Sequence, residues 1–336
     1  MKEQYMRKMA ALIAGLALAA AGMGGAMAES ADSFPTKPIR MIVPFTPGGG
    51  TDTVTRIIGQ RLGEVWNTSV VIENRPGAGG IIASNIVANA APDGYTLGIV
   101  TPTQTINPSL YKDLPFDPVK DFAPVVLMNE LQLILVASPS FEPNTVAEVI
   151  AYAKANPNKV NFGSTGTGGS AHLAMELLKN LSGIEMTHVP YKGSAPAYAD
   201  VMAGRVHLLS NNIISTMPLV EKKQLKAIAV LGENRSTIAP DLPTVAESGL
   251  PGYGVKSWFG IVAPGKTPKE IINKLNAAVV AILNEPAIKE KLTVQGAEPV
   301  EGANTPQDFE RLMRDEERKW AALINSAGIS IEATSK

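Results

Sequence analysis

Residues 39–65 read IRMIVPFTPGGGTDTVTRIIGQRLGEV. The opening five, Ile39-Arg40-Met41-Ile42-Val43, predict a strand. From Val54 on, apolar residues recur at helical spacing: Val54, Ile57, Ile58, Leu62 and Val65. Between the two lies a glycine-rich loop. Strand, loop and helix in that order start a βα repeat, and the chain continues it. Ser69 to Ile72 predicts a second strand, Gly80 to Ala90 a helix and Thr96 to Val100 a third strand. A βαβαβ order implies a parallel sheet with helices on both faces.

A second α/β unit follows. Leu131 to Ala137 predicts a strand, Val146 to Ala155 a helix, Val160 to Phe162 a strand, and Ser170 to Leu181 a helix stopped at Gly183. Met186 to Val189 and Val206 to Leu209 are further strands, with a helix at Ala195 to Ala203 between them. Leu225 to Leu231 and Ser257 to Val262 are strands on either side of a Pro/Gly-rich connection, Leu242 to Gly254. Two helices close the pattern, Pro268 to Leu283 and Pro306 to Ile324, each with Thr expected as N-cap (Thr267, Thr305) and Pro at N1. At 336 residues the chain exceeds one ordinary core and suggests two domains.

The N-terminus has the form of an export leader. Lys2, Arg7 and Lys8 precede an apolar run, Met9 to Met23, that is short for a membrane span of about 20 residues. Ala26-Met27-Ala28 fits the small-x-small cleavage rule, so residues 1–28 are expected to be removed. The chain has no cysteine, which excludes a thiol nucleophile, a disulfide framework and a Cys-ligated metal. A net charge of −1 argues against a nucleic-acid partner, and it means that an anionic ligand must be held by local groups.

Two loops supply such groups. The first is Pro44-Phe45-Thr46-Pro47-Gly48-Gly49-Gly50-Thr51-Asp52, and the second is Gly163-Ser164-Thr165-Gly166-Thr167-Gly168-Gly169-Ser170. Each joins a strand to a helix. A helix N-terminus leaves N–H groups unpaired and carries partial positive charge, and glycine lets the backbone approach a ligand. The pair therefore reads as two anion cradles without a basic side chain. Neither has the Gly-x-Gly-x-x-Gly pattern or the Gly-Lys-Ser/Thr ending of nucleotide loops. The bland alternative is two tight turns. Asp52 and Ser170 also read as helix-start residues. His172 lies in the first turn after the second loop, so a Ser164 or Ser170 nucleophile paired with His172 is a second, enzymatic reading, although no Gly-x-Ser-x-Gly elbow is present. The spacing of His172, His188 and His207 fits no metal motif. Tyr191 and Asn211 are candidates to face a cleft, and an Asx turn is the alternative for Asn211-Asn212.

With these motifs in place, the sequence resembles the Bug-type extracytoplasmic receptors of tripartite tricarboxylate transporters. The stretches that carry the resemblance are 34–40 (FPTKPIR), 43–52 (VPFTPGGGTD), 73–80 (ENRPGAGG), 92–97 (PDGYTL), 188–193 (HVPYKG) and 242–247 (LPTVAE). The resemblance implies an α/β type II periplasmic-binding-protein fold: two doubly wound lobes joined by two crossing strands, with the C-terminal segment returning to the first lobe. Expected boundaries are 29–127 and 252–336 for lobe 1 and 128–251 for lobe 2. It further implies a periplasmic receptor without catalysis, metal or cofactor that closes on a small mono-, di- or tricarboxylate. Phe45 to Gly50 and Ser164 to Ser170 would pinch a carboxylate, and the Thr101–Gln104 loop and Asn211 would line the rest. The receptor, expected to be monomeric, would serve transporter membrane subunits; a sensor kinase is the alternative partner. Relatives often carry Asp near position 211, where this chain has Ser210-Asn211-Asn212, which disfavours an amine-bearing ligand.

Overall fold

The computed structural model describes residues 33–329 other than 192, 299, 301 and 328. The chain divides into two units, Met1–Phe34 and Pro35–Lys336, and every element below belongs to the second. The expected leader and its cleavage site lie outside the described residues.

The βα order runs β1 (Ile39–Val43), α1 (Gly50–Trp66), β2 (Val70–Asn74), α2 (Ile81–Ala88), β3 (Thr96–Val100), α3 (Thr103–Leu110) and β4 (Phe122–Ala137). It continues through α4 (Val146–Ala155), β5 (Asn161–Ser164), α5 (Ser170–Ser182), β6 (Thr187–Pro190), α6 (Ser194–Met202), β7 (Leu208–Asn212), α7 (Ile213–Glu221) and β8 (Lys226–Val230). It ends with β9 (Lys256–Pro264), α8 (Lys269–Leu283), α9 (Pro286–Val294) and α10 (Pro306–Ala327). The strands follow the order β2-β1-β3-β9-β4-β7-β5-β6, with β8 also on β4. β1 pairs in parallel with β2 and β3, and β5 with β6 and β7, as βα crossovers require.

The long strand β4 joins the two parallel sets. Its residues Phe122 to Gln132 pair antiparallel with β9, and Leu133 to Ala137 pair with β7 on one side; Ile134 to Ala137 pair with β8 on the other. β4 thus leaves one half of the sheet and enters the other between Gln132 and Leu133. A second passage lies beside it: Leu231 N–H donates to Leu133 O, and Val255 N–H donates to Leu231 O just before β9 begins. These are two doubly wound α/β halves joined by crossing strands, the type II periplasmic-binding-protein architecture.

Five elements differ from the sequence reading: β4, α3 and α7, where proline accounts for the difference, the start of α8, and α9, which went unread. The strand expected at Leu131–Ala137 is only the second part of β4. Pro124 disguises the first part, and it sits where the β4–β9 register shifts, a bulge that tolerates the missing N–H. α3 and α7 went unread because each contains a proline, Pro108 and Pro218, inside the helix. Thr305 does form a reciprocal cap: its hydroxyl accepts from Asp308 N–H at 3.2 Å while the Asp308 carboxylate accepts from Thr305 N–H at 3.1 Å. Thr267 does not cap α8, because its hydroxyl donates to Pro264 O at 2.7 Å instead.

The 22-residue α10 is about 33 Å long. Its Phe309 and Met313 pack in the core of the first half with Ile42, Val262 and Trp258. Its Trp320, Leu323 and Ile324 pack in the core of the second half with Phe162 and Leu173. The C-terminal segment therefore returns to the first half but does not stop there; it spans both. Among the described residues no single helix is long and apolar enough to cross a membrane.

Candidate functional site

A cleft of about 440 Å³ opens where the strands cross. Leu131 and Leu133 of β4 and Ser257 and Phe259 of β9 line it. So do the starts of four helices: Gly50 and Thr51 of α1, Pro102 and Thr103 at α3, Ser170 and Ala171 of α5, and Asn212 before α7. Phe45, Gly79, Thr101, the second loop's Thr165, Gly166, Thr167 and Gly169, and Asn211 and Gln295 complete the lining. None of these side chains is ionisable, so positive potential in the cleft comes from backbone dipoles.

The two glycine loops end alike. The N-cap of α1 is Gly49 (φ −77°, ψ 165°) and that of α5 is Gly169 (φ −83°, ψ 165°); neither has a side chain to cap with. The first intrahelical bonds are Thr53 N–H to Gly49 O at 2.9 Å and Leu173 N–H to Gly169 O at 3.0 Å. The N–H groups of the residues just before them, in the first turn of each helix, have no acceptor within their helix. The start of α3 has no side-chain cap, but Gln104 and Thr105 N–H donate to Thr101 O and Pro102 O at 2.8 and 3.0 Å, and Asn212 Oδ1 accepts from Ile214 N–H at 2.9 Å and caps α7. Unpaired N–H groups, hydroxyls and no acidic side chain suit an anion with several acceptor oxygens.

Charge stands behind this lining. Asp52 is buried in the first turn of α1 and shapes the first loop. Its carboxylate accepts from Gly48 N–H and Arg56 Nε, both at 2.9 Å, and from Asn74 Nδ2 at 2.9 Å. Burial pushes the carboxyl up, but these three donors outweigh it and hold Asp52 at about 2. Asn74 Nδ2 also donates to Phe45 O at 3.0 Å. Asp52 therefore points away from the cleft and is matched by Arg56, so it does not oppose an anion there.

The second loop has a comparable brace. Gly168 N–H donates to His172 Nδ1 at 3.2 Å, and His172 Nε2 faces Glu176 Oε1 at 3.6 Å. His188 stacks on His172 with ring centres 3.9 Å apart, and its Nε2 lies 2.7 Å from Ser164 Oγ. Ser164 is fully buried and its hydroxyl donates to Gly166 O at 3.0 Å. Burial, with His172 alongside, drives His188 down to about 3, so it is neutral at ordinary pH. No described histidine nitrogen bonds Ser170, and His172 bonds neither serine. The Ser–His nucleophile pair considered from the sequence is therefore not formed.

Of the residues singled out from the sequence, the cleft brings together Phe45, Gly50, Thr101, Thr165, Gly166, Thr167, Ser170 and Asn211. Thr46, Pro47, Gly48 and Gly49 lie exposed on the loop without lining it. Asp52, Ser164, Gly168 and His172 sit one layer behind. Gln104 is buried, its Oε1 accepting from Ser84 Oγ at 2.7 Å. Tyr191 turns its hydroxyl to Asp200 Oδ2 at 2.6 Å. Lys192 lies outside the described residues. Leu131, Leu133, Ser257, Phe259 and Gln295 were missed, and no local motif marks them. Thr51 and Gly169 sit inside the quoted loops and were within reach.

Residues 54–329 match the family described as tripartite tricarboxylate transporter family receptors. The chain belongs to this family. The receptor is 35% identical over 329 residues to protein BugT of Bordetella pertussis, covering 97% of this chain and 99% of that one. Among solved structures it resembles an R. palustris protein with adipate (40% identity, TM-score 0.78) and covers 100% of it with 89% of this chain. It also resembles MatC from Rhodopseudomonas palustris with bound malate (33% identity, TM-score 0.75, 87% of this chain, 100% of that one). Periplasmic binding protein BugD matches at 33% identity and a TM-score of 0.76, over 89% of this chain and 100% of that one.

The loops generate a sharp glycine prediction. Gly48 and Gly168 have φ of +83° and +78°, whereas Gly49 has an ordinary φ and room for a Cβ. A Cβ at the first two costs about 1–2 kcal/mol, so Gly48→Ala and Gly168→Ala should each weaken anion binding about tenfold or more. Gly49→Ala should stay near wild type in calorimetric titration; equal losses at all three positions would contradict this geometry. His188 generates a second. A buried neutral histidine is lowered below its unfolded value of about 6.5, so it opposes folding increasingly as pH falls from there toward 3. The melting temperature of His188→Gln should accordingly fall less steeply than wild type between pH 7 and pH 4. Parallel curves would show that His188 is not held neutral.

Proposed function

We propose that this receptor captures a small mono-, di- or tricarboxylate between two lobes and delivers it to the membrane subunits of a transporter. The observation that carries the reading is a cleft on which the uncapped N-termini of α1 and α5 converge and into which no charged side chain intrudes. A carboxylate offers charge-assisted acceptors to such N–H groups, which are stronger partners than neutral oxygens. The adipate and malate bound by the two R. palustris relatives support the same ligand class.

The lobes proposed are 29–127 with 252–336, and 128–251, with the crossing near Gln132–Leu133 and Leu231–Val255. Phe45, Gly50, Thr101, Thr165 to Thr167, Ser170 and Asn211 would touch the ligand. Thr46 to Gly49, Asp52, Gln104, Ser164, Gly168, His172 and Tyr191 would hold those groups in position. Because the lining comes from both lobes, a ligand bonded to both favours the closed arrangement, and binding drives closure about the crossing strands. The role is binding without turnover, in the periplasm after removal of residues 1–28, by a monomer needing no cofactor or metal. A sensor partner in place of the transporter would use the same closure.

A thermal-shift screen tests the ligand class. Malate, adipate or citrate at 100 times its Kd should add about 2.7 kcal/mol of stability, and the methyl esters should add almost none. Ester and free acid shifting the protein equally would remove the carboxylate from the account.

A further inference from the structure

We propose that Gln295 is a specificity-determining residue that reads the second carboxylate of a dicarboxylate on the Asn211–Asn212 side of the cleft. The inference rests on the carboxylate reading above and assigns a role to a segment that has none in it. Gln295 follows the last turn of α9, far in sequence from both glycine loops, yet it lines the cleft.

A short strap holds it there. α9 is tied to the first half by Glu285, whose carboxylate accepts from Arg61 Nε of α1 at 2.8 Å. The chain then crosses to the second half. Gly296 has a φ of +83°, and a Cβ there would lie 2.6 Å from Ile214 Cδ1 in the first turn of α7. Only glycine lets the backbone pass this close. Two residues on, Glu298 and Glu130 exchange backbone hydrogen bonds at 3.1 and 2.8 Å, which anchors the strap on β4 beside the crossing point. Ser236 Oγ, in the segment after β8, donates to Glu298 Oε1 at 3.4 Å. The position of Gln295 is thus fixed by contacts to α1, α7 and β4 together.

Its chemistry fits the role. The neighbouring amides are partly committed to the fold: Asn211 Nδ2 donates to Tyr198 OH at 2.8 Å, and Asn212 Oδ1 caps α7. Gln295 is exposed at the cleft, and its side-chain amide bonds no described residue. An amide donates to carboxylate oxygens without adding charge. It therefore favours a ligand with a second acid group over the matching monoacid.

Calorimetric titration with adipate against hexanoate, and malate against 3-hydroxybutyrate, tests this on the full mature chain. Gln295→Ala should weaken the dicarboxylate about tenfold and the monoacid less than twofold. Gln295→Glu, which places a like charge beside the second carboxylate, should weaken the dicarboxylate further still. Because the side chain is exposed, both variants should keep the wild-type melting temperature. Dicarboxylate binding unchanged in both variants, or mono- and dicarboxylate weakened alike, would overturn the role of Gln295 while leaving the carboxylate reading intact. Failure of the wild-type protein to bind any of the four acids would overturn the carboxylate reading, and this inference with it.

Discussion

The antiparallel pairing of β4 with β9 is the constraint on which the rest of the molecule depends. It runs from Phe122↔Pro264 to Gln132↔Lys256, and from there β4 passes directly into the second half. The two parallel sets of strands lie on opposite sides of this ladder, and α10 packs in the cores of both halves. Because both hang on this ladder, the carboxyl ends of β1, β3, β5 and β7 all turn toward it. Ligands in open α/β sheets sit beyond such strand ends. The cleft is therefore a consequence of the crossing, and the crossing strands themselves supply Leu131, Leu133, Ser257 and Phe259 to its lining.

The electrostatics of the cleft follow from what is kept out of it. A lysine or arginine in the lining would need its own counter-ion when the cleft is empty, and its desolvation would offset part of the attraction. Backbone N–H groups are fixed by the helices that carry them, so little ordering is needed when an anion arrives. The polar groups nearby are consumed in holding the loops. Asp52 ties Gly48, Arg56 and Asn74 together, and His172 takes the N–H of Gly168. On the proposed reading, loop shape and anion affinity are thus coupled through hydrogen bonds that stand behind the cleft lining.

Much of this was legible in the sequence. The switch from period 2 to period 3.6 around Pro44–Thr51 marked the first βα unit, and the glycines of 163–170 marked its counterpart. What was hidden has physical causes. Pro124, Pro108 and Pro218 broke the patterns of β4, α3 and α7, because a bulge and helix interiors absorbed prolines that local rules forbid. Asp52, Ser164 and His172 carried the residue types of a site but serve as braces, a distinction set by the direction of side chains and not by spacing. Gln295 and Phe259 converge on the cleft only through tertiary packing between distant parts of the sequence, so no window of sequence could show them. The family resemblance rested on motifs in the loops and turns, and the comparisons with known proteins support it.

The central claim is that an anion is held by the backbone N–H groups of α1 and α5 and not by a basic side chain. Distances in a crystal structure of the receptor with a bound dicarboxylate measure this directly. The account predicts one ligand carboxylate with oxygens about 2.7–3.2 Å from first-turn N–H groups of both helices, directly or through one water, with no Lys or Arg nitrogen in that range. A carboxylate held by a lysine or arginine, or a ligand seated away from these helix starts, would contradict it.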